Sequence, residues 1–276
     1  MSIRLIAIDI DGTLVDRQGE IPPANRAAIR EASELGIEVV LVTGRTYHHA
    51  RPIAHELSKR LVLIVSNGAL IKDSQGTTLN SRLLDRETAQ EVITTTRPVR
   101  QGAALIFDRI GDRQYLYENI DWQHPNRLEY FERNQKFMSE VSPLEEGLID
   151  DPVQVAFTGT ICDMRDLAAF LRPQQIARKL SITLTEYAAR DFSLLDITAE
   201  DCSKGSSLAA WCASRRINPN HVMAIGDNLN DREMLEFAGV PVVMGNAVPA
   251  LKKLGWHVTR PHDEGGLAEA IRALAL

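Results

Sequence analysis

The run Ile3-Arg4-Leu5-Ile6-Ala7-Ile8 is long enough for a buried strand and too short for a helix, and it stops at the polar turn Asp9-Ile10-Asp11-Gly12-Thr13. The same grammar recurs: Ile37 to Val42 leads into Thr43-Gly44-Arg45, Leu61 to Val65 into Asn67-Gly68, and Val222 to Ile225 into Gly226-Asp227-Asn228-Leu229-Asn230-Asp231. Helical patterns separate these runs. Pro22 and Pro23 open one, with Ala28, Ile29, Ala32 and Leu35 at helical spacing and Gly36 just past its end. Others are expected over Tyr47 to Arg60 and from Ser206 to about Arg216. Alternation of this kind implies a doubly wound α/β fold, a parallel sheet covered on both faces whose strand ends share one edge. In such sheets that edge faces the ligand crevice.

From about Leu84 the texture changes. A helix near Glu87 to Thr96 leads into the strand candidates Ala103 to Phe107 and Gln114 to Tyr117, with a turn at Gly111-Asp112. Val153 to Thr158, a helical stretch interrupted at Pro173, and the strands Ser181 to Glu186 and Phe192 to Ile197 follow. Because strands and helices no longer alternate one to one, this region reads as an inserted α+β domain, residues 84–192, within a split core of residues 1–83 and 193–276.

Composition excludes several classes of function. The net charge of −6 argues against a nucleic-acid partner, which calls for a basic surface. No apolar run approaches the roughly 20 residues of a membrane span, and the amino terminus starts directly on a strand, so a cytoplasmic protein with no membrane partner is expected. Cys162, Cys202 and Cys212 lack paired spacing and read as incidental thiols.

Taken singly, each polar turn has a bland reading: Asp11-Gly12 as a turn, Thr43-Gly44 likewise, Lys204 as a solvated charge. Placed on one sheet edge, they describe a phosphate site. Asp9 and Asp11, two apart on an extended segment, would share a face and divide the labour of nucleophile and general acid–base. With Asp227 added, their repulsion calls for a cation, and oxygen donors suit Mg²⁺. His48, His49 and His55 lack the spacing of a transition-metal site and read as solvated helix positions.

Together these segments resemble the haloacid dehalogenase-like phosphatases, in particular the Cof-type sugar-phosphatase subfamily with the larger α/β cap. Asp9-Ile10-Asp11-Gly12-Thr13 is similar to that superfamily's first motif, Thr43 to its second, Lys204 to its third, and Gly226-Asp227 with Asn230-Asp231 to its fourth. Asn67-Gly68 and Asn246-Ala247 also resemble Cof-type sequences, and the insert's position between the second and third motifs assigns the cap class. The resemblance implies an Asp9 nucleophile that becomes an aspartyl-phosphate, and an Asp11 that protonates the leaving alcohol and then deprotonates water. It implies Mg²⁺ on Asp9, Asp227 and the Asp11 main-chain carbonyl, with Asp231 in support. Ile10, Thr43, Gly44, Lys204 and Asn230 would hold the phosphoryl group.

The expected activity is therefore Mg²⁺-dependent hydrolysis of a small phosphate ester, sugar phosphates first. A phosphomutase is the second reading. A phospho-accepting signalling module is a third, but leaves Asp11 and the insert without a use, and a dehalogenase needs neither Asp11 nor Mg²⁺. Arg45, His48 and Asn67 are substrate candidates in the core, and Arg109, Tyr187 and Arg190 in the insert. Oligomeric state is open.

Overall fold

A computed structural model describes residues 2–109 and 113–276, so the turn expected at Gly111-Asp112 lies outside the described residues. The chain divides into two compact units, Met1–Ser81 with Ser203–Leu276, and Arg82–Cys202.

The first unit opens with β1 (Leu5–Ile8), buried along its whole length. Helix α1 (Pro23–Glu34) follows, with Pro23 in the first turn, where a missing N–H costs nothing. It buries Ala28, Ile29 and Ala32, and Gly36 takes φ +80° just beyond it. Leu35, which shares the helical spacing, lies past the last helical residue and is exposed. Next come β2 (Glu38–Val42), α2 (Tyr47–Leu57) and β3 (Val62–Val65). Helix α2 ends short of Arg60 because Ser58 is already extended. A tight turn at Ser66-Asn67-Gly68 reverses the chain into β4 (Leu70–Asp73), which pairs antiparallel with β3 and with β5 (Thr78–Ser81).

The second unit contains α3 (Arg86–Thr96), β6 (Ala103–Ile106), β7 (Tyr115–Glu118), α4 (Pro125–Asn134) and β8 (Met138–Glu140). It continues with β9 (Gln154–Gly159), α5 (Ile161–Leu171), β10 (Leu180–Tyr187) and β11 (Phe192–Ala199). Its strands form one sheet in the order β10-β11-β9-β6-β7-β8, antiparallel except for β7 with β8. Alternate residues of β9 and β11, Val155, Phe157, Leu195 and Ile197, bury one face with Val92 of α3 and Leu167 of α5. An α+β insert is therefore present, but its edges differ from those expected. Strand β11 pairs along its full length with β10, from Leu180 with Ala199 to Tyr187 with Phe192, and also with β9. The second joint therefore falls at Cys202/Ser203 rather than 192/193, and the first at Ser81/Arg82 rather than 83/84. The alternation in Phe192 to Ile197 marks a strand without saying which sheet it joins.

The first unit resumes with α6 (Lys204–Ser214), β12 (Val222–Gly226), α7 (Arg232–Phe237), β13 (Val240–Val243), α8 (Pro249–Lys252), β14 (His257–Val258) and α9 (Gly266–Leu274). Its eight-stranded sheet runs β14-β13-β12-β1-β2-β3-β4-β5 and is parallel from β14 to β3. Strand β1 sits between β12 and β2, Leu5 opposite both Val222 and Glu38, so the carboxyl ends of three parallel strands are neighbours. Among the described residues, no helix is long and apolar enough to cross a membrane.

Phe157 is almost wholly buried in the second unit's core. Phe157→Ala is expected to cost ~3–5 kcal/mol of stability through the lost burial and the cavity left behind. Urea denaturation checks this; an unshifted midpoint would show that the β9 face is not the core.

Candidate active site

The three neighbouring strand ends deliver Asp9 after β1, Thr43 after β2 and Asp227 after β12. The chain does not stay extended beyond Asp9. It turns at Ile10, whose carbonyl accepts from Leu14 N (3.0 Å) and Val15 N (3.1 Å), and Asp9 before the turn accepts from Lys204 while Asp11 accepts from Arg45. Ile10 itself is buried.

Lys204 stands at the first position of α6, a helix entered through a reciprocal cap between Ser203 and Ser206. Its ammonium donates to Asp9 Oδ1 at 2.7 Å and to Asp231 Oδ1 at 2.6 Å, and all three residues are buried. The second oxygen of Asp231 accepts from the backbone N–H groups of Asp227 and Asn228, both at 3.0 Å. Asp231 therefore has both oxygens engaged and ties the fourth turn to the lysine. Burial would pull the Lys204 ammonium toward neutrality, but Asp231 and Asp9 outweigh it and hold the proton more firmly than usual. Burial pushes the Asp9 carboxyl up to about 7; Asp231 pushes the same way and Lys204 opposes. Asp227 is raised well above the usual carboxylate range, first by burial and then by Asp9 and Asp231.

Asp9, Asp227 and Asp231 bring one carboxylate oxygen each within 4.8 Å of one another. Oδ1 of Asp227 is buried with no hydrogen-bond partner among the described residues. Convergent oxygens with one bare buried acceptor suit a hard divalent cation. Gly12 (φ +80°) lies against this group: a Cβ there would sit 2.3 Å from Asp227 Oδ2.

Asp11 is held elsewhere. Both of its oxygens accept from Arg45, Oδ2 from Nε at 2.8 Å and Oδ1 from a terminal nitrogen at 2.6 Å. The Arg45 N–H in turn donates to Thr43 Oγ1 at 3.1 Å. Arg45, expected as a substrate contact, thus binds the acid–base candidate. Gly44 packs on Asn67, whose Oδ1 would lie 3.0 Å from a Cβ at that glycine and accepts from Asn230 Nδ2 at 3.1 Å. Thr43, Gly44, Asn67 and Asn230 are therefore brought together. His48 is half-buried and edge-on to Tyr47. His55 is exposed, as expected of a solvated helix position, and its Nε2 lies 2.7 Å from the Ser74 carbonyl oxygen.

In the second unit, Arg109 pairs with Asp150 at 2.7 Å and lies over Phe107. Arg190 pairs with Glu129 and lies over Tyr187. The residue that sequence reasoning passed over is Asn246, noted only as part of Asn246-Ala247. Its Nδ2 donates to the Gly12 carbonyl at 2.8 Å and to Asp227 Oδ2 at 3.3 Å.

The sequence matches the family model of haloacid dehalogenase-like hydrolases over residues 6–271. The chain belongs to that family. This hydrolase is 28% identical to phosphatase YwpJ of Bacillus subtilis (strain 168), over 99% of its own length and 100% of the relative's. It is 29% identical to the HMP-PP phosphatase of Serratia proteamaculans (strain 568), over 91% and 87%. The solved structure of the HAD subclass IIB sugar phosphatase BT4131 superposes with a TM-score of 0.77 at 20% identity, covering 98% of each chain. The α/β fold, the Cof-type resemblance and the class of phosphoric monoester hydrolases all agree with these findings.

Removing the ammonium leaves two buried carboxylates side by side. Lys204→Met is expected to cost ~3–5 kcal/mol of stability, as for a buried ion pair that loses one partner. Urea denaturation of the metal-free protein reads it, and unchanged stability would mean that solvent reaches Asp9 and Asp231.

Proposed function

We propose that this hydrolase cleaves monoesters of small phosphorylated metabolites, sugar phosphates first among them, by passing the phosphoryl group through Asp9 to water. The observation that carries the reading is the buried Asp9 carboxylate held at one oxygen by Lys204, with a second carboxylate, Asp11, two residues on and separately held. The names of the relatives, an HMP-PP phosphatase and a sugar phosphatase, support small phosphate esters as the substrate class.

In the first half of the reaction an Asp9 oxygen forms a bond to phosphorus while the bond to the ester oxygen breaks, and Asp11 gives that oxygen its proton. In the second half Asp11 takes a proton from water, the water oxygen attacks the phosphorus, and phosphate departs as the Asp9 carboxylate is restored. Asp11 reaches the ester oxygen only when its ion pair with Arg45 opens. Lys204, Thr43, the Gly44 amide and Asn230 hold phosphoryl oxygens, with Ile10 at the turn, which is where transfer chemistry needs positioning and positive charge. The carboxylates of Asp9 and Asp227, with the Asp11 main-chain carbonyl, would hold Mg²⁺, which supplies positive charge against their mutual repulsion and that of the phosphate. Asp231 positions both Lys204 and the Asp227 backbone. The second unit would supply selectivity for the remainder of the substrate.

Asp9→Asn is expected to lower turnover at least about 100-fold while circular dichroism stays unchanged, because an amide keeps the shape and cannot attack phosphorus. Activity close to wild type would refute the nucleophile. Asp11→Asn should slow a sugar phosphate far more than an activated aryl phosphate, whose leaving group needs no proton. Equal losses on the two substrates would remove Asp11 from the acid role. Chelation of divalent cations should abolish turnover and Mg²⁺ should restore it, as measured by phosphate release; undiminished turnover in chelator would exclude the cation.

A further inference from the structure

Asn246 occupies a junction outside the residues to which the mechanism gives work. Its Oδ1 accepts from the His262 backbone N–H at 2.9 Å, so its amide group is oriented with Nδ2 toward the first and fourth turns. There Nδ2 donates to the Gly12 carbonyl at 2.8 Å and to Oδ2 of Asp227 at 3.3 Å. Gly12 closes on that same oxygen: a Cβ at Gly12 would come within 2.3 Å of Oδ2. The other oxygen, Oδ1, is buried and has no partner among the described residues. The two oxygens of one carboxylate are thus made unlike, one occupied and hemmed in, the other bare.

We infer that Asn246 is a positioning residue that restricts Asp227 to one-oxygen ligation and thereby makes the site select Mg²⁺ over Ca²⁺. The inference rests on the proposed cation at Asp9 and Asp227. Mg²⁺ takes a small octahedral shell and is served by single carboxylate oxygens, whereas Ca²⁺ accepts six to eight oxygens and readily takes both from one carboxylate. Occupying Oδ2 with an N–H donor withholds the bidentate mode that favours the larger ion. Partners that orient a metal ligand in this way typically carry a roughly 10–100-fold effect on affinity.

The test is isothermal titration of the full-length wild type, Asn246→Ala and Asn246→Ser with MgCl₂ and, separately, CaCl₂, without substrate. Thermal melting in chelator accompanies each. The Mg²⁺-to-Ca²⁺ affinity ratio is expected to fall at least about 10-fold in both variants while the chelated melting temperature stays near that of the wild type. Should Asn246→Ala not fold, the Ser variant, too short to span to Asp227, carries the measurement. A ratio unchanged from wild type overturns the role of Asn246 and leaves the phosphatase reading standing. If the wild type binds neither ion, the cation reading falls, and the role of Asn246 with it.

Discussion

One buried ammonium holds the candidate site together. Lys204 sits between Asp9 and Asp231, so a residue following the central strand and a residue in the fourth turn are bound to the start of α6 through a single side chain. In water such pairs contribute little; taken out of water they are demanding, because losing any member strands a charge. The arrangement has no slack. Asp231 spends its remaining oxygen on the two N–H groups that begin the Asp227 turn, so the lysine also sets where Asp227 stands.

The entry of α6 is itself fixed from a neighbouring turn. Gly68 lies so close to the Ser203 carbonyl that a Cβ would come within 2.2 Å of its oxygen, and the Ser207 hydroxyl donates to the Gly68 carbonyl at 2.6 Å. Just ahead, Asn67 takes a left-handed φ of +52°, a conformation that asparagine tolerates better than most residues. Its side chain then reaches Asn230. Asn67-Gly68 thus ties the entry of α6 and the fourth turn together.

Strand ends were legible because parallel strands buried on both faces are written as short unbroken apolar runs, and Asp9, Thr43 and Asp227 stand where those runs stop. Their convergence followed from parallel-sheet grammar alone. Side-chain partners were not legible. Nothing local to Asp11 says that Arg45 will take both its oxygens, nor does anything near Asn246 point to Gly12, because these contacts depend on loop paths between elements. The second joint was misplaced for a related reason: Phe192 to Ile197 alternates equally well for either sheet, and only pairing with β9 and β10 decides.

The placement of the insert has a consequence for how the chain is made. β1 and β12 are adjacent in the sheet, yet residues 82–202 lie in the sequence between them. A ribosome extends the chain at about 5–20 residues per second, so β1 waits roughly 10–40 seconds with one side uncovered before β12 emerges. Closing so long a loop is entropically affordable, since its cost grows only with the logarithm of length, but contacts this distant in sequence form slowly. For most of that interval Lys204 has not yet been made, so Asp9 lacks the ammonium that it pairs with in the finished fold. The second unit, continuous in sequence from Arg82 to Cys202, is under no such constraint and can complete its own sheet while the nascent core is still half made.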